Sequence, residues 1–217
     1  MKKKVLLSLL SVLAFAVFGQ ESKFHYGLTL HGGVNRAKAM SNSSAKPIPN
    51  WGLGVGIQVR YFATEKFVVE INPRYLYNHV GFRGEFQGDN QTEYTHYFSY
   101  PNVEIPVLAG YFHPISENVQ LSVWAGASLG RIIYPSNADV YIDDNRIWSG
   151  KGLSQSADKK YTTQGILRLL IDMPFRHEKR WHAGFEYNQS LAATYYYANL
   201  NSLIKPQFFS LMAGFSM

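Results

Sequence analysis

From about residue 24 onward, apolar and polar residues alternate with a period of two, not 3.6, which predicts strands with two unlike faces. The cleanest run sets Leu53, Val55, Ile57, Val59 and Tyr61 against Gly54, Gly56, Gln58 and Arg60. The same rule sets Tyr26, Leu28 and Leu30 against Gly27, Thr29 and His31. It sets Phe67, Val69, Ile71, Pro73, Tyr75 and Tyr77 against Val68, Glu70, Asn72, Arg74 and Leu76. Four further runs alternate around Val103–Ala109, Val119–Leu129, Leu167–Ile171 and Ala183–Tyr187, and a last one around Phe209–Met217. That makes eight predicted strands.

Their connections alternate in length as well. Short turns are predicted at "ATEK", "HPISEN" and "MPFRHEK", and long polar loops at 38–50, 81–93, 134–160 and 193–205. Short turns on one side and long loops on the other predict an all-β, eight-stranded, antiparallel up-and-down transmembrane barrel. A soluble barrel would keep its apolar face inside. Here one face carries almost no charge, while the other carries glycine, serine, asparagine and six ions, so the apolar face is assigned to lipid and the charged, glycine-rich face is expected not to form a hydrophobic core. Trp51, Tyr61, Phe67, Tyr77, Tyr111, Tyr134, Tyr161 and Trp181 fall near strand ends, where interfacial girdles belong. Pro73, Pro101 and Pro106 run against closed pairing, and local bulges are the expected accommodation.

The inward ions are Arg60, Arg74 and Arg168 with Glu70, Glu104 and Glu186, three of each sign. An eight-stranded barrel has an interior filled by side chains. Three cross-strand pairs are therefore expected, Arg60–Glu70, Arg74–Glu104 and Arg168–Glu186, merging into one lumenal network. Buried ions are normally paired, so a structural reading of plugging and register outweighs an ion or proton path.

Composition refines this picture. The chain has 217 residues, 15% aromatic and 17% charged, with 18 glycines and no cysteine. The start, "MKKKVLLSLLSVLAFAVFGQ", has three lysines, an apolar segment from Val5 to Phe18 and a small-residue site, the pattern of a cleaved signal peptide. The expected division is signal peptide 1–19 and barrel domain 20–217, in the bacterial outer membrane with both termini periplasmic. Without the three leader lysines the net charge falls from +6 to +3, which gives no support for a nucleic-acid partner. Outer-membrane lipid and lipopolysaccharide are the expected surroundings, with other envelope or secretion proteins as further partners.

The segment "VEIPVLAGYF" (103–112), the cut before Gln20 and the C-terminal "FFSLMAGFSM" resemble the outer-membrane β-barrel domain family common in Bacteroidota, which includes PorT-like proteins. The resemblance covers about residues 24–217. It implies a barrel similar in shape to those of OmpA and OmpX, a structural or accessory role that in some relatives concerns type IX protein secretion, and no catalytic residues.

Candidate chemistry is sparse. A lipid A deacylase needs a histidine near a serine on the lipid-facing surface. In "FEYNQS" no histidine precedes Ser190, and His79, His96, His113, His177 and His182 are placed around rims and turns. No enzymatic activity, cofactor or metal is expected. His25 and His31 are spaced too widely for a local metal clamp and are assigned to the lumen or its periplasmic mouth. The glycines of "GLGVG" alternate along a strand with no helix after them, so they make room inside a barrel and cradle no phosphate. The remaining candidates are loop contacts, Trp148 in the longest loop and the tyrosine group Tyr195, Tyr196 and Tyr197, which suit a surface receptor or adhesin as an alternative role. A small pore is a third reading, disfavoured by the filled lumen.

Overall fold

The computed structural model describes residues 23–39, 46–85, 93–133, 137–142, 144–150, 161–174, 179–191, 195–197 and 202–217. The leader 1–19, the turn at 175–178 and Tyr134 lie outside the described residues. The strands are β1 (Phe24–Ala39), β2 (Lys46–Ile48), β3 (Asn50–Phe62), β4 (Phe67–Ile71), β5 (Arg74–Glu85), β6 (Glu93–Ser116) and β7 (Val119–Ile132). They continue with β8 (Asn137–Ile142), β9 (Asn145–Gly150), β10 (Tyr161–Pro174), β11 (Arg180–Ser190), β12 (Tyr195–Tyr197) and β13 (Ser202–Ser216).

Eight staves close a barrel. β1 pairs β3; β3 pairs both β4 and β5, which together form one stave; and both of these pair β6. β6 pairs β7, β7 pairs β10, β10 pairs β11, and β11 pairs β13. β13 returns to β1 through thirteen residue pairs, from Gly27–Ser216 to Ala39–Ile204. Every pairing is antiparallel, and closure leaves the barrel wall without a free edge. Tyr26 and Met217 exchange two backbone hydrogen bonds of 2.8 Å, so the start of β1 and the end of β13 meet at the short-turn end.

The period-two reading of faces holds along the staves. Leu28 and Leu30 are 60% and 62% exposed, whereas Thr29 and His31 between and beside them are 0% and 3% exposed. At the short-turn end the outward face carries the close pairs Phe24–Tyr61, Phe67–Tyr111 and Trp181–Phe215, with ring centroids 5.0–5.2 Å apart. Trp51 and Tyr77, 6.0 Å apart, mark the other girdle. On β3, Trp51 and Tyr61 are ten residues apart, roughly 33 Å of strand. At a tilt of about 45° that separation spans roughly 24 Å, the height of an outer-membrane apolar band.

Two expectations are corrected. The loop ranges contain strands: β6 runs 24 residues, and beyond β7 its first part pairs β8 through Tyr94–Ser99. β2 pairs β5, β9 pairs β8, and β12 pairs β13, so the segment order β2–β5–β6–β8–β9 forms a sheet extending from the long-loop end. The short, weakly alternating composition of these segments hid strands whose partners lie partly in distant segments, as with β2–β5 and β6–β8, and partly close by, as with β8–β9 and β12–β13.

The prolines are accommodated without the expected bulges. Pro73 sits in a two-residue break between β4 and β5, and pairing to β3 and to β6 keeps the same register on both sides of the break. Pro106 faces that break, where its carbonyl accepts from the Asn72 amide at 3.1 Å. Pro101 lies opposite Ile133, just past the end of β7, and accepts its amide at 2.9 Å. Each missing N–H therefore falls where the ladder is already interrupted or ending. The one register shift in the β6–β7 ladder lies at Pro114–Ser116.

Candidate functional site: a sealed lumen of paired ions

Each expected pair consists of residues directly opposite one another on adjacent strands. Arg60 faces Glu70, Arg74 faces Glu104 and Arg168 faces Glu186. Side chains of opposed residues are close enough to touch. The Arg60 Nε donates to Glu70 Oε2 at 2.8 Å, Arg168 Nε to Glu186 Oε2 at 2.8 Å, and Arg74 Nε to Glu104 Oε1 at 2.5 Å.

Contacts across the lumen then join the pairs. Arg168 Nη1 donates to Glu70 Oε1 at 2.6 Å, and Arg74 Nη1 donates to Glu186 Oε1. Arg60 Nη1 reaches Asp172 Oδ1 at 2.9 Å. The result is a single column of alternating sign, Asp172–Arg60–Glu70–Arg168–Glu186–Arg74–Glu104, that climbs from near the short turns toward the long loops. Its side chains are at most 1% exposed. Each guanidinium fork spans two carboxylates, which is the geometry that Arg provides and Lys does not. Gly56 on β3 makes this possible: a Cβ there would lie 2.9 Å from the Arg74 Cβ and 2.8 Å from Thr29 Oγ1.

Sequence reasoning missed two members of this interior. Asp172 occupies the inward face of β10, but its arginine lies 112 residues away in sequence and across the barrel. His182 was placed at a rim and is instead 1% exposed, on the lumenal face of β11 opposite Asp172 and Gly214. His31 is lumenal too, with Nδ1 3.7 Å from Glu186 Oε1. Among the other rim histidines, His79 bonds Ser99 Oγ at 2.8 Å and His113 is exposed on β6. His177 lies outside the described residues.

The lumen is also greasier than expected. Val68, Leu108, Phe112, Trp124, Ile166, Leu170 and Met212 form a buried cluster with Phe62 packed against it. A charged, glycine-rich face was expected not to hold such a core; it does because the ions occupy only part of the cross-section. Trp124 joins the two halves. Arg60 lies over its ring at 4.9 Å, and its Nε1 donates to Ser122 Oγ at 2.9 Å, which in turn donates to Asp172 Oδ2 at 2.5 Å. The indole fits because residue 110 is glycine; any Cβ there would overlap its ring. Nearer the long loops, Val80, Phe82, Phe98 and Tyr100 are buried, with Phe82 and Phe98 stacked at 5.9 Å and Phe98 and Tyr100 at 6.2 Å. The ion column thus runs alongside the first apolar cluster, with Trp124 opposite Arg168 and Leu108 opposite Glu70, and the second cluster lies beyond it toward the long loops.

The loop candidates are placed by backbone alone. Trp148 pairs with Val140 in the β8–β9 hairpin, and Tyr195, Tyr196 and Tyr197 pair with Ile204, Leu203 and Ser202. Their side chains lie outside the described residues. Among the described residues no three His, Cys, Asp or Glu side chains are placed to hold a metal ion.

A family model described as outer membrane protein beta-barrel domain matches residues 18–205. No curated protein matches. Similar solved structures include Neisserial surface protein A, at 12% identity and TM-score 0.45, covering 89% of this chain and 96% of that one. OprG from Pseudomonas aeruginosa is 13% identical with TM-score 0.42, covering 88% and 94%. Ail, the attachment invasion locus protein of Yersinia pestis, is 14% identical with TM-score 0.38, covering 89% and 98%.

Proposed function

Because the chain belongs to the outer membrane protein beta-barrel domain family, we propose that it is a non-enzymatic structural or accessory component of the outer membrane, serving envelope assembly or a type IX-like secretion machinery. Its short-turn end faces the periplasm in this reading. The observation that carries it is the lumen's filling: seven alternating ions and two apolar clusters, all buried, occupy the interior above the short-turn mouth. Such a barrel is a rigid wall element, suited to positioning what its rims present.

Capture of the protein from native outer membranes in mild detergent tests this role. Stoichiometric co-purification of envelope or secretion proteins is expected, together with no conductance steps in planar bilayers. Recovery of the barrel alone, or a stable single-channel conductance, overturns it.

A second reading, a surface receptor, draws on the extension β2–β5–β6–β8–β9, which carries backbone pairing out past the end of β7. Binding of the isolated barrel to a host surface or glycan array, unaccompanied by envelope partners, would favour it.

A further inference from the structure

The three column arginines each hold carboxylates, and Arg180, at the short-turn mouth, does not. Its Nη1 donates to the neutral Gln120 Oε1 at 2.6 Å, and its guanidinium lies over Phe62 at 5.6 Å. Phe62 stands in turn against His25, with ring centroids 4.8 Å apart. An amide and an aromatic face orient a guanidinium without neutralising it. Among the described residues no carboxylate lies within ion-pair distance of the half-buried Arg180; Asp172, already engaged by Arg60 and Ser122, attracts it only from farther away.

That cation, with no carboxylate in contact, borders a cavity of about 560 Å³ which also takes in Lys23, His25, Phe62 and Gln120, with Glu65 the carboxylate in its lining. The volume is that of a small-molecule site. Two permanent cations, Arg180 and Lys23, against the exposed Glu65 and a more distant Asp172 that already holds Arg60, suit an anionic phosphate. A planar guanidinium matches phosphate oxygens through two parallel hydrogen bonds. The Phe62–His25 wall gives the organic part of such a ligand an apolar surface.

We infer that the short-turn mouth of the barrel binds a phosphate group carried by a small molecule or a lipid headgroup, with Arg180 as the anchoring residue and Lys23 as the second cation. Lys23, Thr64 and Glu65 of its lining are exposed at the short-turn end, so a water-soluble ester has a direct route. This inference is independent of the structural role proposed above: its failure would leave the filled lumen and the partner experiment untouched.

The test titrates inorganic phosphate and glycerol 3-phosphate into the full-length barrel in zwitterionic detergent, read by calorimetry and by backbone amide shifts. A parallel arm compares nanodiscs of phosphatidylglycerol with nanodiscs of phosphatidylcholine. Saturable binding with shifts at Phe62, Thr64 and Gln120 is expected, weakened at least tenfold by Arg180→Gln and by a smaller factor in Lys23→Gln. Arg83→Gln, on the opposite end, is expected to bind like the unaltered protein. Saturation by the soluble ester identifies a soluble source, and shifts confined to phosphatidylglycerol discs identify a lipid source; both support the site. No saturable change in either arm, or equal affinity in Arg180→Gln, overturns it. Lys23 is exposed and lies outside the barrel wall, so its variant keeps the test informative if Arg180→Gln folds poorly.

Discussion

Inside the barrel, Arg168 sits between Glu70 and Glu186 with all three side chains fully buried. On the long-loop extension, Arg83 reaches Glu93 diagonally at 3.5 Å with both side chains about half exposed, and Arg146 reaches Asp139 at 3.0 Å in similar surroundings. The residues are alike and the ladders are alike. What differs is access to water. A half-exposed ion keeps most of its hydration, so its partner adds little. A buried ion has lost that hydration, and its partners are all that compensates it. The column is therefore not a sum of surface salt bridges. It is one object in which each interior member leaves two neighbours uncompensated when it is removed.

The largest effect should come from breaking the column at its centre. Arg168→Ala leaves Glu70 and Glu186 each short of a guanidinium, and a loss on the order of 3–5 kcal/mol is expected. Urea unfolding in lipid vesicles, followed by the heat-dependent gel shift typical of barrels, measures it. A loss below about 1 kcal/mol would place the column with the surface pairs. The swap Glu104→Arg with Arg74→Glu probes connectivity. If Arg74 served Glu104 alone, the double reversal would restore stability. Because Arg74 also holds Glu186, residue 74 would then oppose Glu186, and only partial rescue of the single variants is expected. Full rescue would mean isolated pairs.

On the outer face, the comparison is between ion and lipid. Ile57 lies midway between Trp51 and Tyr61 and is 55% exposed on the apolar band. Ile57→Arg should cost about 2–4 kcal/mol at that depth. The neighbouring Gln58→Arg faces the lumen, so its penalty should come from crowding and an unpaired buried charge rather than from lipid and should not vary with acyl-chain length. Unfolding in short-chain and long-chain lipid vesicles separates the two. Equal dependence on chain length at both positions would refute the assignment of faces.

Much of this arrangement could be read from the chain because a strand enforces a strict period of two. Placing Arg60 inward also places Gly56 and Gln58 inward, and counting from a short turn brings Glu70 to the same height. Features set across the barrel were not legible. Asp172 and Arg60 meet because the wall curves back on itself, and the period of two puts Trp124 inward without showing that Gly110 leaves its ring space or that Arg60 lies over it. Nor do β2, β8, β9 and β12 announce themselves. Their segments are short and polar, and their pairing depends on β5, β6 and β13 already being in place. The prolines were misjudged for a related reason: whether a missing N–H matters depends on which neighbour it faces, and that follows only from the register.

The smallest expected effect lies on the extension, and it tests the comparison from the other side. Arg83→Ala removes one partner of a 3.5 Å contact between side chains that are 48% and 50% exposed. A change of about 0–1 kcal/mol is expected, and it should shrink further as salt is raised from low to physiological strength, since exposed charges are screened over roughly 10 Å. Arg168→Ala measured in the same series should show no comparable salt dependence, because ions cannot screen an interaction they cannot reach. If Arg83→Ala proved as costly as Arg168→Ala and equally indifferent to salt, the extension would have to be as dry as the lumen, and access to water could not be what separates the two regions.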